Sequence, residues 1–296
     1  MKSSLITLFG AALATSIPMM ASAAGDVFYG LNYGIDKDNC PTLDKMKKDF
    51  ELIQKYTNRV RTFSLHVCNQ ADLALQATQE LGMDLHLGMW LDRQDTFNLE
   101  IQALKDLLAK YDFSNVNSII AGSEVLYRED ADANTLTNWI KEVKQVAEPK
   151  GIEVTNAETY NEVSPEVFNV VDFVSMNAFP FWEGTTIEQG INTLADHYET
   201  IKAKAGNKRV MISETGWPSG SSEGDTLGPN IDIAQATIEN ENTYLGEVLC
   251  WSRNNNVDVL YFSAFEEPYK PGVEGHFGIM DQDGNLKEGI NVNPSC

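Results

Sequence analysis

Two glutamates in matching surroundings pose the chemical question. The stretch Arg209-Val-Met-Ile-Ser-Glu-Thr-Gly-Trp-Pro-Ser219 is a short apolar run that ends in Glu214 and breaks at once in Gly216 and Pro218. Upstream, Asn117-Ser-Ile-Ile-Ala-Gly-Ser-Glu124-Val-Leu-Tyr-Arg128 repeats the plan: an apolar run closes on a small-residue turn and a glutamate. A lone Glu before a turn is commonly no more than a solvated side chain. Two carboxylates at equivalent strand ends are what cleavage of a glycosidic bond requires, one to protonate the departing oxygen and one to attack or to activate water.

Such a pair needs a scaffold that delivers both members to one place. From Asp26 onward, eight strand-like runs alternate with helical periods: residues 27–34, 60–65, 85–91, 116–121, 154–159, 173–179, 210–213 and 257–265. Between them apolar residues recur at helical spacing, as in Leu43, Met46, Phe50 and Ile53, in Ile101, Leu104, Leu108 and Tyr111, and in Ile187, Ile191, Leu194, Tyr198 and Ile201. Asp36, Asn69, Asn134 and Thr185 offer capping chemistry, and Gly82, Gly151 and Gly206 stop helices. Eight strand-helix units with right-handed crossovers close most simply into a single (β/α)8 barrel. An open doubly wound sheet is the alternative, although no Gly-x-Gly-x-x-Gly loop follows the first strand.

In a barrel all the strand ends open on one face, so Glu124 at the end of the fourth strand and Glu214 at the end of the seventh share a mouth. Other polar and aromatic residues fall at the same ends: Tyr33, Glu158 and Tyr160, Asn177-Ala-Phe-Pro-Phe-Trp182 and Glu266-Glu-Pro-Tyr-Lys270. Met89 and Trp90 are expected to fill the barrel, and His66, His86 and His197 to be structural.

Residues 1–23 carry Lys2, an apolar run from Leu5 to Met20 and then Ala21-Ser-Ala23, the pattern of a secretory signal peptide. Residues 24–296 then form one catalytic domain, since no Pro/Gly/Ser linker or charge block divides them. The apolar run is short and broken by Gly10 and Pro18, and no later segment is apolar enough to cross a bilayer, so no membrane insertion is expected. Cys40, Cys68, Cys250 and Cys296 are an even set in an exported chain and are expected to form two disulfides. Cys40 follows the first strand and Cys68 the second, so adjacent loops bring them together. A Cys250–Cys296 bridge then ties the C-terminal tail to the seventh helix of the repeat. No Cys-x-x-Cys occurs and the four histidines are scattered, so neither a metal nor a cofactor is expected. There is no Asn-x-Ser/Thr acceptor, because Asn293 precedes Pro. The net charge of −21 disfavours nucleic acid and anionic surfaces, and suits a neutral or cationic partner.

The motifs Gly122-Ser-Glu-Val-Leu-Tyr-Arg128, Asn177-Ala-Phe-Pro-Phe-Trp182, Ser213-Glu-Thr-Gly-Trp-Pro218, Phe265-Glu-Glu-Pro-Tyr-Lys270 and Gly275-His-Phe-Gly278 span nearly the whole chain after the leader. Together they resemble glycoside hydrolase family 17, in particular its fungal-type cell-wall branch of β-1,3-glucanases and glucanosyltransferases. The resemblance implies a retaining reaction on β-1,3-glucan or its oligosaccharides by a secreted or wall-bound enzyme, with Glu124 as acid/base and Glu214 as nucleophile. Plant members place an Asn before the acid/base, whereas this chain has Ser123, as the fungal branch does. The strand-eight motif implies Glu267 and Lys270 as residues that bind hydroxyls or position the nucleophile.

With Lys270 nearby, Glu214 is expected to stay ionised, while burial and the charge of Glu214 raise the pKa of Glu124. Retention requires the carboxylates about 5–5.5 Å apart. Tyr33, Ser123, Tyr127, Glu158, Asn177, Phe179, Trp182, Trp217, Glu267 and Lys270 are the candidate substrate-binding residues, with Phe181 a further candidate aromatic at the mouth on either side of the cleaved bond. Exchange of either catalytic Glu for Gln is expected to abolish turnover and leave folding intact. The chain is expected to act as a monomer, to cleave internally and to transfer to a second glucan as well as to water. The other readings are a purely hydrolytic endo-glucanase, a barrel hydrolase for β-1,4-glucan or mannan, and a noncatalytic glucan-binding wall protein.

Overall fold

The structure is a computed structural model that describes residues 27–222 and 231–296. The expected signal peptide, residues 1–23, lies outside them. Eight parallel strands close into a barrel in sequence order: β1 (Gly30–Asn32), β2 (Arg59–Arg61), β3 (Asp84–Met89), β4 (Val116–Ser123), β5 (Glu153–Thr159), β6 (Val174–Asn177), β7 (Val210–Thr215) and β8 (Val259–Tyr261), which returns to β1. This is the (β/α)8 architecture that the alternating pattern predicts. The strands at the seam are shorter than expected, because residues on either side of β1 and β8 bond to turns instead of the sheet. Val27 N–H, for example, donates to Tyr56 O at 2.7 Å, and Ser263 N–H to Phe277 O at 2.9 Å.

The helices are α1 (Leu43–Ile53), α2 (Gln70–Leu81), α3 (Gln94–Lys110), α4 (Ala133–Ala147), α5 (Pro165–Val170), α6 (Ile187–Ala205), α7 (Ile231–Ala234) and α8 (Ile238–Asn255). Their caps show why each starts where it does: the side chains of Thr42, Asp132, Ser164 and Thr237 accept the backbone N–H three residues on and satisfy one orphan donor apiece. The expected caps at Asn134 and Thr185 are therefore displaced to Asp132 and Thr186. Asp36 instead closes a loop, accepting from Asp38 N–H at 2.9 Å. Asn69 does hold the first position before α2, in the left-handed region and without a side-chain bond. Gly82 and Gly206 follow α2 and α6 as expected, and Gly151 follows the 3-10 turn that extends α4.

Strand alternation divides the apolar side chains into two layers. Ile120, Ala157, Phe173, Met211 and Leu260 form a small cluster within the barrel, and the large core lies between strands and helices. Both expected disulfides form. Cys40–Cys68 joins the loops after β1 and β2, and Cys250–Cys296 fastens the C-terminal tail to α8, the helix between β7 and β8. Among the described residues no helix is long and apolar enough to cross a membrane.

Candidate active site

Both glutamates reach the mouth through a one-residue slip in strand register. In β4 the pairing moves from Ile120↔Thr155 to Ser123↔Ala157, so β4 spends one residue more than β5. In β7 it moves from Met176↔Ile212 to Asn177↔Glu214. An extra residue turns the side chains beyond it, which re-aims each glutamate from the wall of the barrel to its opening. Gly122 makes the first slip possible: its φ is +85°, and a Cβ there would lie 2.6 Å from Val125 Cγ2. Glu124 itself sits at φ +58°, a left-handed conformation that a non-glycine residue keeps only when its surroundings hold it.

One amide joins the pair. Asn177, at the end of β6, directs Nδ2 at Glu124 Oε1 (3.0 Å), Glu214 Oε1 (3.1 Å) and Ser123 Oγ (3.2 Å), and its Oδ1 accepts the Ser213 hydroxyl at 2.7 Å, which fixes which way the amide faces. Two oxygens at 3.0 and 3.1 Å from one nitrogen are at most the sum of those distances, about 6.1 Å, apart. That bound puts the facing oxygens closer than the roughly 6.5–9.5 Å between carboxyl groups that seats a water between acid and base, which favours direct attack on the sugar.

The charge facing Glu214 belongs to Arg61, from the end of β2. Its Nη1 pairs with Glu214 Oε1 and also reaches Asn32 Oδ1 (3.0 Å) and Ser213 O (3.3 Å), and Nη2 reaches Ser123 Oγ (3.3 Å). Arg61 is only 1% exposed and stacks over Phe63 at 4.5 Å. Asn32 in turn donates to Ser213 O, Leu260 O and Tyr261 O, tying β1 to β7 and β8 behind the site. Sequence reasoning missed both Arg61 and Asn32; the only signal was a polar residue interrupting an otherwise buried strand. It named Lys270 instead, but the Lys270 ammonium pairs with Glu267 Oε2 at 2.6 Å, and Tyr269 donates to Glu267 Oε1 at 2.5 Å. Glu124 has no such partner: burial, and then the charge of Glu214, push its carboxyl above the ordinary value, against smaller opposing effects of Asn177, Arg128 and Arg61. One carboxylate is thus held beside a fixed cation and the other favours its proton, the division of labour that acid-assisted displacement needs.

A cleft of about 580 Å³ opens over the pair, lined by Tyr127, Tyr160, Asn177, Phe179, Trp182, Lys270 and others. Tyr127 is 55% and Trp182 38% exposed. Phe262, not singled out in the sequence, and Phe277, from the Gly275-His-Phe-Gly278 motif, complete an edge-to-face cluster with Phe179 at centroid distances of 5.6–5.7 Å. Phe181 is buried behind it.

Four candidates lie elsewhere, among them Glu267, which is buried and borders a neighbouring cavity and not the cleft. Trp217 is 0% exposed, packed against Phe181 and Tyr244 with its indole N–H on Gln235 O, so no ring face is left for a sugar. Tyr33 is buried, and its hydroxyl donates to Asp49 Oδ2 at 2.8 Å on the border of a neighbouring cavity of about 370 Å³ that also touches Glu267 and Tyr269. Glu158 is buried behind the turn that carries Glu124. Among the described residues no three His, Cys, Asp or Glu side chains converge as metal ligands.

Comparison with known proteins identifies the family of the chain. The BtgE/BtgC glycoside hydrolase domain matches residues 30–278. The chain is 31% identical to a glucan 1,3-β-glucosidase of Schizosaccharomyces pombe, over 92% of this chain and 88% of that one. Among solved structures it is similar to a glycoside hydrolase family 17 β-1,3-glucanosyltransferase from Rhizomucor miehei, with 52% identity and a TM-score of 0.86 over 91% of this chain and 99% of that one. An active-site mutant of that enzyme in complex with laminaritriose gives 51% identity and a TM-score of 0.85 over the same shares.

Proposed function

The chain belongs to the fungal branch of glycoside hydrolase family 17, and we propose on that footing that it cleaves β-1,3-glucan internally with retention and passes the glycosyl unit to a second glucan or to water. The observation that carries this reading is the single Asn177 amide bonded to both carboxylates, which keeps them within direct-displacement range. In the first step Glu214 attacks the anomeric carbon as the glycosidic C–O bond breaks, and Glu124 gives its proton to the departing oxygen. The ester on Glu214 removes the negative charge that favoured protonated Glu124, so Glu124 is left as a base. A hydroxyl of the incoming glucan, or water, then gives its proton to Glu124 while its oxygen replaces Glu214 at the anomeric carbon.

Transfer competes with water at tens of molar, so a millimolar sugar wins only if the acceptor side of the cleft binds and orients it. Each tenfold of preference needs about 1.4 kcal/mol, and an aromatic contact supplies about 0.5–1.5 kcal/mol. Tyr127, Phe179 and Trp182 give the cleft three such surfaces. The similarity to a glucanosyltransferase supports the same choice. With a pure β-1,3-oligosaccharide, transfer yields products longer than the starting chain at high substrate concentration, and dilution shifts the mixture to shorter ones. Shorter sugars alone at every concentration would make the protein a hydrolytic endo-glucanase. The two disulfides suit an oxidising compartment, in keeping with an exported protein of the cell wall or its surroundings.

A further inference from the structure

Three successive residues of β5 take hold of the backbone on both sides of Glu124. Asn156 Nδ2 donates to Ala121 O and Gly122 O, each at 3.1 Å. Ala157 O accepts the N–H of Glu124 itself at 2.7 Å. Glu158 Oε1 accepts from Val125 N–H (2.9 Å) and Leu126 N–H (3.2 Å), and Oε2 from Tyr127 N–H at 3.5 Å. Asn156 and Glu158 lie two residues apart and so on one face of the strand. Both are buried, and neither borders the cleft, so neither touches a bound sugar.

We propose that Asn156 and Glu158 form a backbone clamp that aims the Glu124 carboxyl, and that Glu158 is a positioning residue for the proton-transfer step. The proposal rests on the reading of Glu124 as acid/base. Two facts make the clamp more than a way to satisfy a turn. Glu124 keeps a left-handed φ that a non-glycine residue holds only when its surroundings impose it, and its release would swing the side chain that must meet the departing oxygen. Reacting groups tolerate little of this, since a displacement of roughly 1 Å can cost about a hundredfold in rate. A buried carboxyl is also an expensive way to fill space, for an apolar side chain of similar volume packs without the desolvation penalty. Burial raises the Glu158 pKa to about 7 even against the backbone donors that favour its charge.

The test separates proton donation from the rest of the reaction by using two substrates. A β-1,3-oligosaccharide needs its leaving oxygen protonated, whereas a 2,4-dinitrophenyl β-1,3-oligoglucoside has a leaving group that departs as the anion. Glu158→Ala, which removes every acceptor, is expected to lower kcat/KM for the oligosaccharide at least tenfold and for the aryl glycoside less than threefold. Glu158→Gln keeps one acceptor oxygen and should fall between Glu158→Ala and the parent on the oligosaccharide. Equal losses on both substrates, no loss on either, or a Gln variant as impaired as the Ala variant would overturn the clamp.

Should Glu158→Ala not fold, Glu158→Gln carries the comparison alone, and a loss on the oligosaccharide less than threefold larger than that on the aryl glycoside sinks the idea. If neither variant folds, Glu158 is a requirement of the fold and the proposal falls. Glu124→Ala run in parallel isolates the underlying reading: it should lose kcat/KM on the oligosaccharide and keep it on the aryl glycoside, while kcat on the latter falls for want of a base and azide restores it. If it fails that pattern, the assignment of Glu124 is wrong, whatever Glu158 does.

Discussion

At the scale of single residues, the two glutamates were legible because each ends an apolar run in a specific motif, and the rest of their setting was not. Arg61 and Asn32 come from strands whose sequences carry no chemical motif, and only the closed barrel brings them against Ser213 and Glu214. The consequence is a changed expectation for Glu214→Gln. This exchange should abolish turnover, but it also leaves a buried guanidinium without its counter-charge, and breaking a buried pair costs roughly 3 kcal/mol or more. A melting temperature lowered by several degrees in Glu214→Gln, with little change in Glu124→Gln, is the expected outcome by calorimetry. Arg61→Lys should lower kcat more than tenfold with a smaller effect on KM, because one ammonium cannot span Asn32, Glu214 and Ser123 as the planar fork does. A lysine variant with parent kcat would show that the fork is dispensable. The raised carboxyl of Glu124 sets the basic limb of the activity profile. The proton donor is present below its raised pKa and is lost as pH climbs through it, so initial rates should persist above the ordinary glutamate range and then fall.

At the scale of elements, the sequence pattern placed all eight strands and the main helices, yet it could not show the register slips in β4 and β7. Hydrophobic alternation reports which face a residue occupies in a regular strand, and an extra residue reverses that assignment from the slip onward. For this reason Glu214 and Glu124 open on the cleft, whereas Glu158, in a strand whose own run is regular, points behind the turn and not at substrate. Trp217 misled for a related reason: the chain bends after β7 and folds the indole back under α8, where it meets Tyr244. Gly122→Ala tests the first slip. The added Cβ meets Val125 and an L-residue resists the left-handed φ at about 1–2 kcal/mol, so kcat should drop steeply with a modest loss of melting temperature. Parent activity in that variant would mean that the turn carrying Glu124 tolerates a different path.

At the scale of the whole molecule, burial raises the proton affinity of several glutamates besides Glu124, among them Glu100 and Glu158 at about 7 and Glu241 at about 8, each shifted chiefly by desolvation. Their ordinary value is 4.5. Between that value and about 8 the folded protein therefore binds more protons than the unfolded chain, and stability falls as pH rises. The melting temperature should drop from pH 5 to pH 8, with Glu241→Gln flattening the upper part of the curve; a rising or level profile for the parent protein would contradict this. Closure of the barrel is also what turns motifs from five separate stretches into one cleft, and it places Glu124 and Glu214 on one amide. The most direct test of the central claim is the anomeric configuration of the first product, followed by proton NMR on a β-1,3-oligosaccharide before mutarotation. Double displacement through Glu214 predicts that the new reducing end appears first as the β-anomer; initial release of the α-anomer would contradict it.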